Sequence, residues 1–105
     1  MTKHILVALL ALCALANPAR ADKFQDDLDV LTKGLPKDAT AVVTRVAYCN
    51  HWSGEEGYDA ARAKEIERAI KKYGCNTIDR DETRLRKRYA GNAAVLKALD
   101  KVQSF

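Results

Sequence analysis

Two cysteines, Cys49 and Cys75, constrain the fold of this chain more than any other feature of its sequence. They lie 26 positions apart, and the third cysteine, Cys13, falls in an apolar N-terminal run. When a small exported domain has two cysteines, they typically form a disulfide. The compartments outside the cytoplasm are oxidising, and a small core alone is only marginally stable. We therefore predict a Cys49–Cys75 disulfide, and closing a loop of that length stabilises the fold by about 3.5 kcal/mol.

Residues 1–21 have the features of a secretory signal peptide. Lys3 gives a positive start, residues 5–16 form an uninterrupted apolar run, and residues 19–21 read Ala-Arg-Ala, a small-x-small cleavage pattern. A membrane-spanning helix needs about 20 apolar residues, so this run is too short to span a membrane. A lipid anchor on Cys13 is rejected as well, because a bulky leucine precedes that cysteine.

Cleavage near Ala21 leaves residues 22–105, which we expect to form a single small helical domain in the periplasm or outside the cell. The 18 basic residues of the full chain include Lys3 and Arg20, so the mature chain keeps an excess of only two positive charges over its 14 acidic residues. This near balance argues against nucleic acid as a partner. We expect no stable membrane insertion of the mature chain.

Helical periodicity predicts an all-α fold, a small disulfide-stapled bundle of four to five short helices. Apolar residues recur at three- and four-residue spacing in each segment, and Gly34, Gly74 and Gly91 are expected to end three of the helices. Asn92 is expected to cap the last helix, and Asp79 begins a capping-box-like pattern in the helix before it. The predicted helices cover residues 22–33, 38–50, 59–73, 77–90 and 93–103.

Residues 39–50 fit two kinds of secondary structure. The spacing of Ala39, Val43 and Val46 is helical, but β-branched residues such as these valines also favour strands. No other segment alternates apolar and polar residues convincingly, so a strand here would have no partner, and a lone hairpin is marginal. We prefer a helix, and the strand stays open as an alternative.

Two positions are candidate N-caps for the helix that precedes Cys75. Ser53 with Glu56 fits a capping box, and Asp59 is the second candidate. A helix that begins at Asp59 rises about 22 Å before it ends, at about 1.5 Å per residue. The chain must therefore return over that distance for the disulfide to close, because the two Cα atoms have to come within about 7 Å.

Because the disulfide brings Cys49 back to Cys75 at the far end of the helix, it also predicts the conformation of residues 51–58. We expect this segment to be extended or turned across the face of the following helix. Trp52, the only tryptophan of the chain, is expected to be largely buried between the segment and the helices, because a large apolar ring is costly to expose.

His51, Trp52, Glu55 and Glu56 form the first candidate functional cluster. His51 is the only histidine of the mature chain, and nearby carboxylates would suit acid–base chemistry. The structural interpretation is that Trp52 fills the core and the glutamates cap a helix. We favour the structural interpretation, because no nucleophile elbow, zincin motif or P-loop accompanies the cluster.

A zinc site built from Cys49, His51 and Cys75 is rejected. The spacing of Cys49 and His51 matches no zinc pattern, and a fourth ligand is not obvious. We therefore predict no metal, no cofactor and no catalytic residue.

The second candidate site is a basic face at helical spacing, formed by Arg80, Arg84, Lys87 and Arg88. Guanidinium groups bind carboxylates and phosphates in bidentate geometry, so this face suits an anionic partner. The structural alternative is a solvated face partly neutralised by neighbouring acids, of which the pair Glu82 and Arg86 is one.

Two classes of function follow from these features. The first is a small exported binding or accessory protein, such as an inhibitor or an immunity-type protein that acts on an envelope partner. That partner would be another protein or an anionic envelope component. The alternative is a small envelope enzyme or ligand carrier that uses His51, Glu55 and Glu56.

Overall fold

The computed structural model describes residues 18–105, and in that part of the chain every regular element is helical. The predicted all-α, disulfide-stapled bundle is confirmed. The signal-peptide features at residues 1–17 lie outside the described residues, so the signal peptide stays a prediction. The helices are α1 Pro18–Thr32, α2 Lys37–Ser53, α3 Ala60–Lys72, α4 Ile78–Arg88 and α5 Ala93–Val102, with a 3-10 turn at Cys75–Thr77 between α3 and α4.

Helix α2 is the centre of the fold, because it packs against each of the other four helices. Its buried residues, Ala39, Val43, Val46 and Ala47, recur at three- and four-residue spacing and face the shared core. The helical interpretation of this segment is therefore confirmed over the strand. Around α2, the core is completed by Leu28 of α1, Ile78 and Leu85 of α4, and Val95, Ala98, Leu99 and Val102 of α5.

The disulfide between Cys49 and Cys75 is confirmed, with the two Cα atoms 5.5 Å apart. Cys49 lies in the C-terminal part of α2, and Cys75 opens the 3-10 turn after α3. Gly74 precedes Cys75 in the left-handed region, at φ 60°, as expected of a glycine that ends a helix. The chain can therefore reverse at once after α3 and bring its second cysteine to α2.

The prediction that residues 51–58 are extended is wrong for the first three, because α2 continues to Ser53. Asn50 supports this last turn: its side-chain amide donates to the carbonyl of Val102, 3.3 Å away, at the end of α5. Residues 54–59 alone then connect α2 to α3. A shorter connection suffices because the last turn of α2 itself covers part of the distance to the start of α3.

Four of the predicted N-caps can be compared with the structure. Asp59 caps α3, since its carboxylate accepts from the backbone N–H of Arg62 at 2.8 Å, and Asn92 caps α5 in the same way. Ser53 is not a cap, because it is the last residue of α2. Asp79 is not one either, because α4 already begins at Ile78 and places Asp79 in its first turn.

Arg45, in the middle of α2, joins this helix to the end of α3 and the start of α4. From α2, its Nε donates to the carbonyl of Tyr73 at 2.8 Å and its Nη2 to the carbonyl of Gly74 at 3.0 Å. Its Nη1 pairs with Asp81 of α4 at 2.9 Å. A cation at the C-terminal end of α3 and an acid in the first turn of α4 both have the sign that the helix dipoles favour.

A second polar contact joins the start of α2 to the end of α4. The hydroxyl of Tyr89 donates to Oδ1 of Asp38 at 2.7 Å, and the guanidinium of Arg88 lies 3.1 Å from Oδ2. The Tyr89 hydrogen bond, with further help from the N–H of Ala39 and from Arg88, lowers the pKa of Asp38 below its ordinary value. The same hydrogen bond raises the pKa of Tyr89.

The Asp38 contact predicts how stability depends on acid. Because the folded-state pKa of Asp38 is lowered, its ionised form stabilises the fold above the unfolded-state pKa, about 3.9. That contribution is lost as the pH falls through the lower folded-state pKa. In urea titrations at about pH 7 and about pH 2, Asp38→Asn should therefore lose less free energy of unfolding on acidification than the wild type does.

Asp26→Asn is the matched control, because Asp26 is exposed on α1 and makes no hydrogen bond or ion pair within residues 22–105. Its acid dependence should follow the wild type. An Asp38→Asn variant with the wild-type difference between the two pH values would contradict the assignment.

Candidate functional site

The predicted basic face is present as an exposed stripe along α4. Arg80, Arg84, Lys87 and Arg88 are all exposed. Their three- and four-residue spacing places them in one row along the solvent-exposed part of α4. We call these four residues the α4 stripe. The structure thus brings together every residue that was predicted for this face.

The positive charge of the α4 stripe is only partly neutralised within the chain. Arg88 pairs with Asp38, and Arg80 has Asp81 at a looser 3.6 Å. Arg84 and Lys87 have no ion pair among residues 22–105. Since exposed pairs such as the one at Arg88 contribute little, all four side chains are available to an anionic partner.

Arg86 lies on another side of α4 and has a structural role. Its guanidinium pairs with Glu82 at 3.1 Å, as predicted, and with Asp100 of α5 at 2.9 Å. It therefore helps to hold α5 against α4. The helix that carries the α4 stripe is therefore held at several points. It is attached to α5 by the Arg86–Asp100 pair, to Arg45 near its start and to Asp38 at its end.

The first candidate cluster is also brought together in part, on the surface at the end of α2. Nε2 of His51 lies 3.5 Å from Oε1 of Glu55, and the His51 side chain is 45% exposed. The second oxygen of Glu55 accepts from Arg62 of α3 at 2.8 Å. Glu56 is exposed and makes no ion pair or hydrogen bond among the described residues, so it does not join the cluster.

Trp52 is partly buried, as predicted, but it does not fill the core. It lies outside the shared core. Because α2 continues to Ser53, the indole projects from its last turn toward the first turn of α3. There the guanidinium of Arg62 lies 5.3 Å from the centre of the indole ring, a cation–π contact.

Arg62 is the residue that links this cluster, and its role was not predicted. It contacts Trp52, Glu55 and Glu65, and the hydrogen bond that it donates to Glu55 is the main cause of its raised pKa. The spacing of residues on α3 predicts that Arg62 lies on the packed side of the helix, but nothing in the sequence pairs it with a tryptophan ten positions earlier. The contact depends on the angle between α2 and α3.

Comparisons with known proteins add no family to these observations: no family model, curated protein or solved structure matches the chain. Within residues 18–105, no helix is long and apolar enough to cross a membrane. In the same part of the chain, no group of three or more histidine, cysteine, aspartate or glutamate side chains is arranged to hold a metal ion.

The Arg62 contact predicts a spectroscopic change, because Trp52 is the only tryptophan. Removing the guanidinium in Arg62→Ala should expose one face of the indole to water. We expect a red shift of the fluorescence emission and stronger quenching by acrylamide. Arg68→Ala, on the exposed face of the same helix, is the control and should leave the spectrum unchanged. An unshifted spectrum in Arg62→Ala would rule out the stacked arrangement.

Proposed function

We propose that this protein is a small exported binding protein that docks an acidic surface of a partner protein on the α4 stripe. The observation that carries the proposal is the pair Arg84 and Lys87, two exposed cations without ion pairs among residues 22–105, at the centre of a row of four. Arg45, Arg62 and Arg86, by contrast, are tied to carboxylates of this chain.

The dimensions of the stripe favour a folded acidic partner. From Arg80 to Arg88 the helix rises about 12 Å, at about 1.5 Å per residue. That length matches one acidic helix or patch rather than a long polyanion, and the near-balanced charge of the mature chain argues the same way. Guanidinium groups at such a surface pair with carboxylates in bidentate geometry.

The rigidity of the stripe suits an inhibitor, an immunity-type protein or an accessory factor. The disulfide and Arg45 fix the elements next to α4, so little conformational freedom is lost when a partner binds. Charges at the rim of an interface mainly raise the association rate and make binding dependent on salt. We therefore propose fast, salt-sensitive association as the mode of action.

The alternative, an enzyme or ligand carrier that uses His51, Glu55 and Glu56, has less support. The carboxylate of Glu55 is already paired with Arg62 at 2.8 Å, so it is engaged in a contact between the end of α2 and α3. Glu56 lies apart from the pair, and the cluster fits a contact between α2 and α3.

The test is capture of partners from cell-envelope extract by immobilised wild-type protein, followed by measurement of Kd for each recovered partner. The charge-reversed variant Arg84→Glu/Lys87→Glu breaks no ion pair of the described chain, so its fold should be retained. We expect its Kd to rise about tenfold or more, and we expect the wild-type affinity to fall as salt is added.

Arg68→Glu/Lys71→Glu is the matched control. It reverses an arginine and a lysine at the same three-residue spacing, and both are exposed on α3 and without ion pairs among residues 22–105. The control should bind as the wild type does. Equal recovery of every partner by all three proteins, or binding that salt does not weaken, would refute the proposal.

A further inference from the structure

A groove of about 580 Å³ lies between α1 and α5, away from the α4 stripe. Its apolar lining comes from both helices and from the end of the chain. Ala94 of α5 is exposed, whereas Ala98, one helical turn later, is buried at the base of the groove. Their short side chains leave a narrow trough along the helix, which is open to solvent at Ala94. The apolar residues that line the groove are Val30, Leu31, Leu35, Ala94, Ala98 and Phe105.

Val30 is the clearest sign that the described residues leave this lining without a cover. It is 77% exposed, whereas Leu28 on the other side of α1 is 2% exposed. A single exposed valine is ordinary on a protein surface. Here, however, it borders a concave apolar surface, so the exposed area continues into the groove.

The rim of the groove carries an excess of positive charge. Lys33, Lys97 and Lys101 line it, and none of the three has an ion pair among residues 22–105. The one acidic residue in the lining, Asp27, is already paired with Lys23 at 3.0 Å. An apolar floor beneath three free ammonium groups is complementary to a molecule with an apolar body and an anionic head.

We propose that this groove binds a single-chain anionic amphiphile, a linear alkyl chain that ends in a carboxylate. The alkyl chain lies along the alanine trough, and the carboxylate is held by the ammonium groups at the rim. The volume is within the range of about 300–1,000 Å³ that small-molecule sites occupy, and such sites combine apolar walls with a few charged groups.

The length of the groove floor favours an alkyl chain over a helix of another protein. From Ala94 to Lys101 the floor runs about 10 Å along α5, which is less than two turns of a docked helix. A helix laid there would bury only a few of its side chains, and burial of that size gives little affinity. A single alkyl chain can lie along the whole floor.

A second copy of this chain is also a poorer occupant. The outer face of α1 next to the groove offers Val30 as its apolar residue, with Asp26 and Asp29 beside it. A single valine is too small to cover an apolar floor that is formed by α1, α5 and Phe105. Charge alone would then hold such a dimer, and exposed ion pairs contribute little.

The experiment is an NMR titration of the methyl groups of Val30, Ala94 and Ala98 with decanoate, below its micelle concentration. Decanol and decyltrimethylammonium are the neutral and cationic arms. We expect saturable shifts of the groove methyl groups with decanoate, at a Kd of about 1 mM or tighter, and weaker binding of the other two amphiphiles.

Two variants separate the parts of the site. Ala94→Phe fills the trough from an exposed position and should abolish binding, while Lys97→Gln/Lys101→Gln should raise the Kd about tenfold. Lys37→Gln/Lys72→Gln removes the same charge elsewhere and should bind normally.

Thermal melts check that each variant is folded. Arg84→Glu/Lys87→Glu should bind decanoate as the wild type does, so this site stands or fails independently of the α4 stripe.

Three results would overturn the proposal. One is the absence of groove shifts with decanoate, and a second is equal binding of the cationic amphiphile. The third is a set of groove shifts that does not depend on decanoate. Shifts that appear as the protein concentration rises would assign the groove to a second copy of the chain, and shifts that appear only with an acidic amphipathic peptide would assign it to a partner helix.

Discussion

The guanidinium of Arg45 lies where α2, the end of α3 and the start of α4 meet, and the attachment of α3 depends on it. Ala69 is the buried residue of α3, so this helix contributes little to the core. Arg45 binds the carbonyls of Tyr73 and Gly74, and one residue later the disulfide ties Cys75 to α2. A covalent and a polar contact thus act on the same few residues and set the direction in which the chain enters α4.

The arrangement around Arg45 also determines which charged surfaces are left exposed to solvent. Asp81 is held by Arg45, and the hydrogen bond from Arg45 is the main cause of its lowered pKa. With Asp81 and Asp38 placed at the two ends of α4, the positive charges between them are left to solvent. Because α5 packs mainly on α2, its contact with α1 leaves the groove open at Ala94.

Local patterns predicted much of this fold. The cysteine pair, the cap at Asp59 and the reversal at Gly74 each depend on residues that are close in sequence or on one plausible pairing, and all three are confirmed. The α4 stripe follows from helical spacing in the same way. The membership of the core also agrees with the apolar periodicity of α2 and α5.

The features that were missed depend on contacts between distant residues. The end of α2 is set partly by Asn50, which bonds to Val102 more than 50 positions later, and the position of Trp52 changes with it. The contacts of Arg45 with Tyr73 and of Arg88 with Asp38 also join residues that are far apart in sequence. The groove between α1 and α5 likewise exists only once the two helices are packed.

The central claim, that Arg45 and the disulfide act together on the end of α3, is tested by the unfolding free energy of Arg45→Met in two backgrounds. One background keeps the disulfide, and the other is Cys49→Ala/Cys75→Ala. With the disulfide present, Arg45→Met should cost about 2 kcal/mol, because charged hydrogen bonds are lost and Asp81 is left unpaired. Without the disulfide the cost should fall by about 1 kcal/mol, because the carbonyls of Tyr73 and Gly74 are no longer held in place. An equal cost in both backgrounds, or a negligible cost in the first, would contradict the claim.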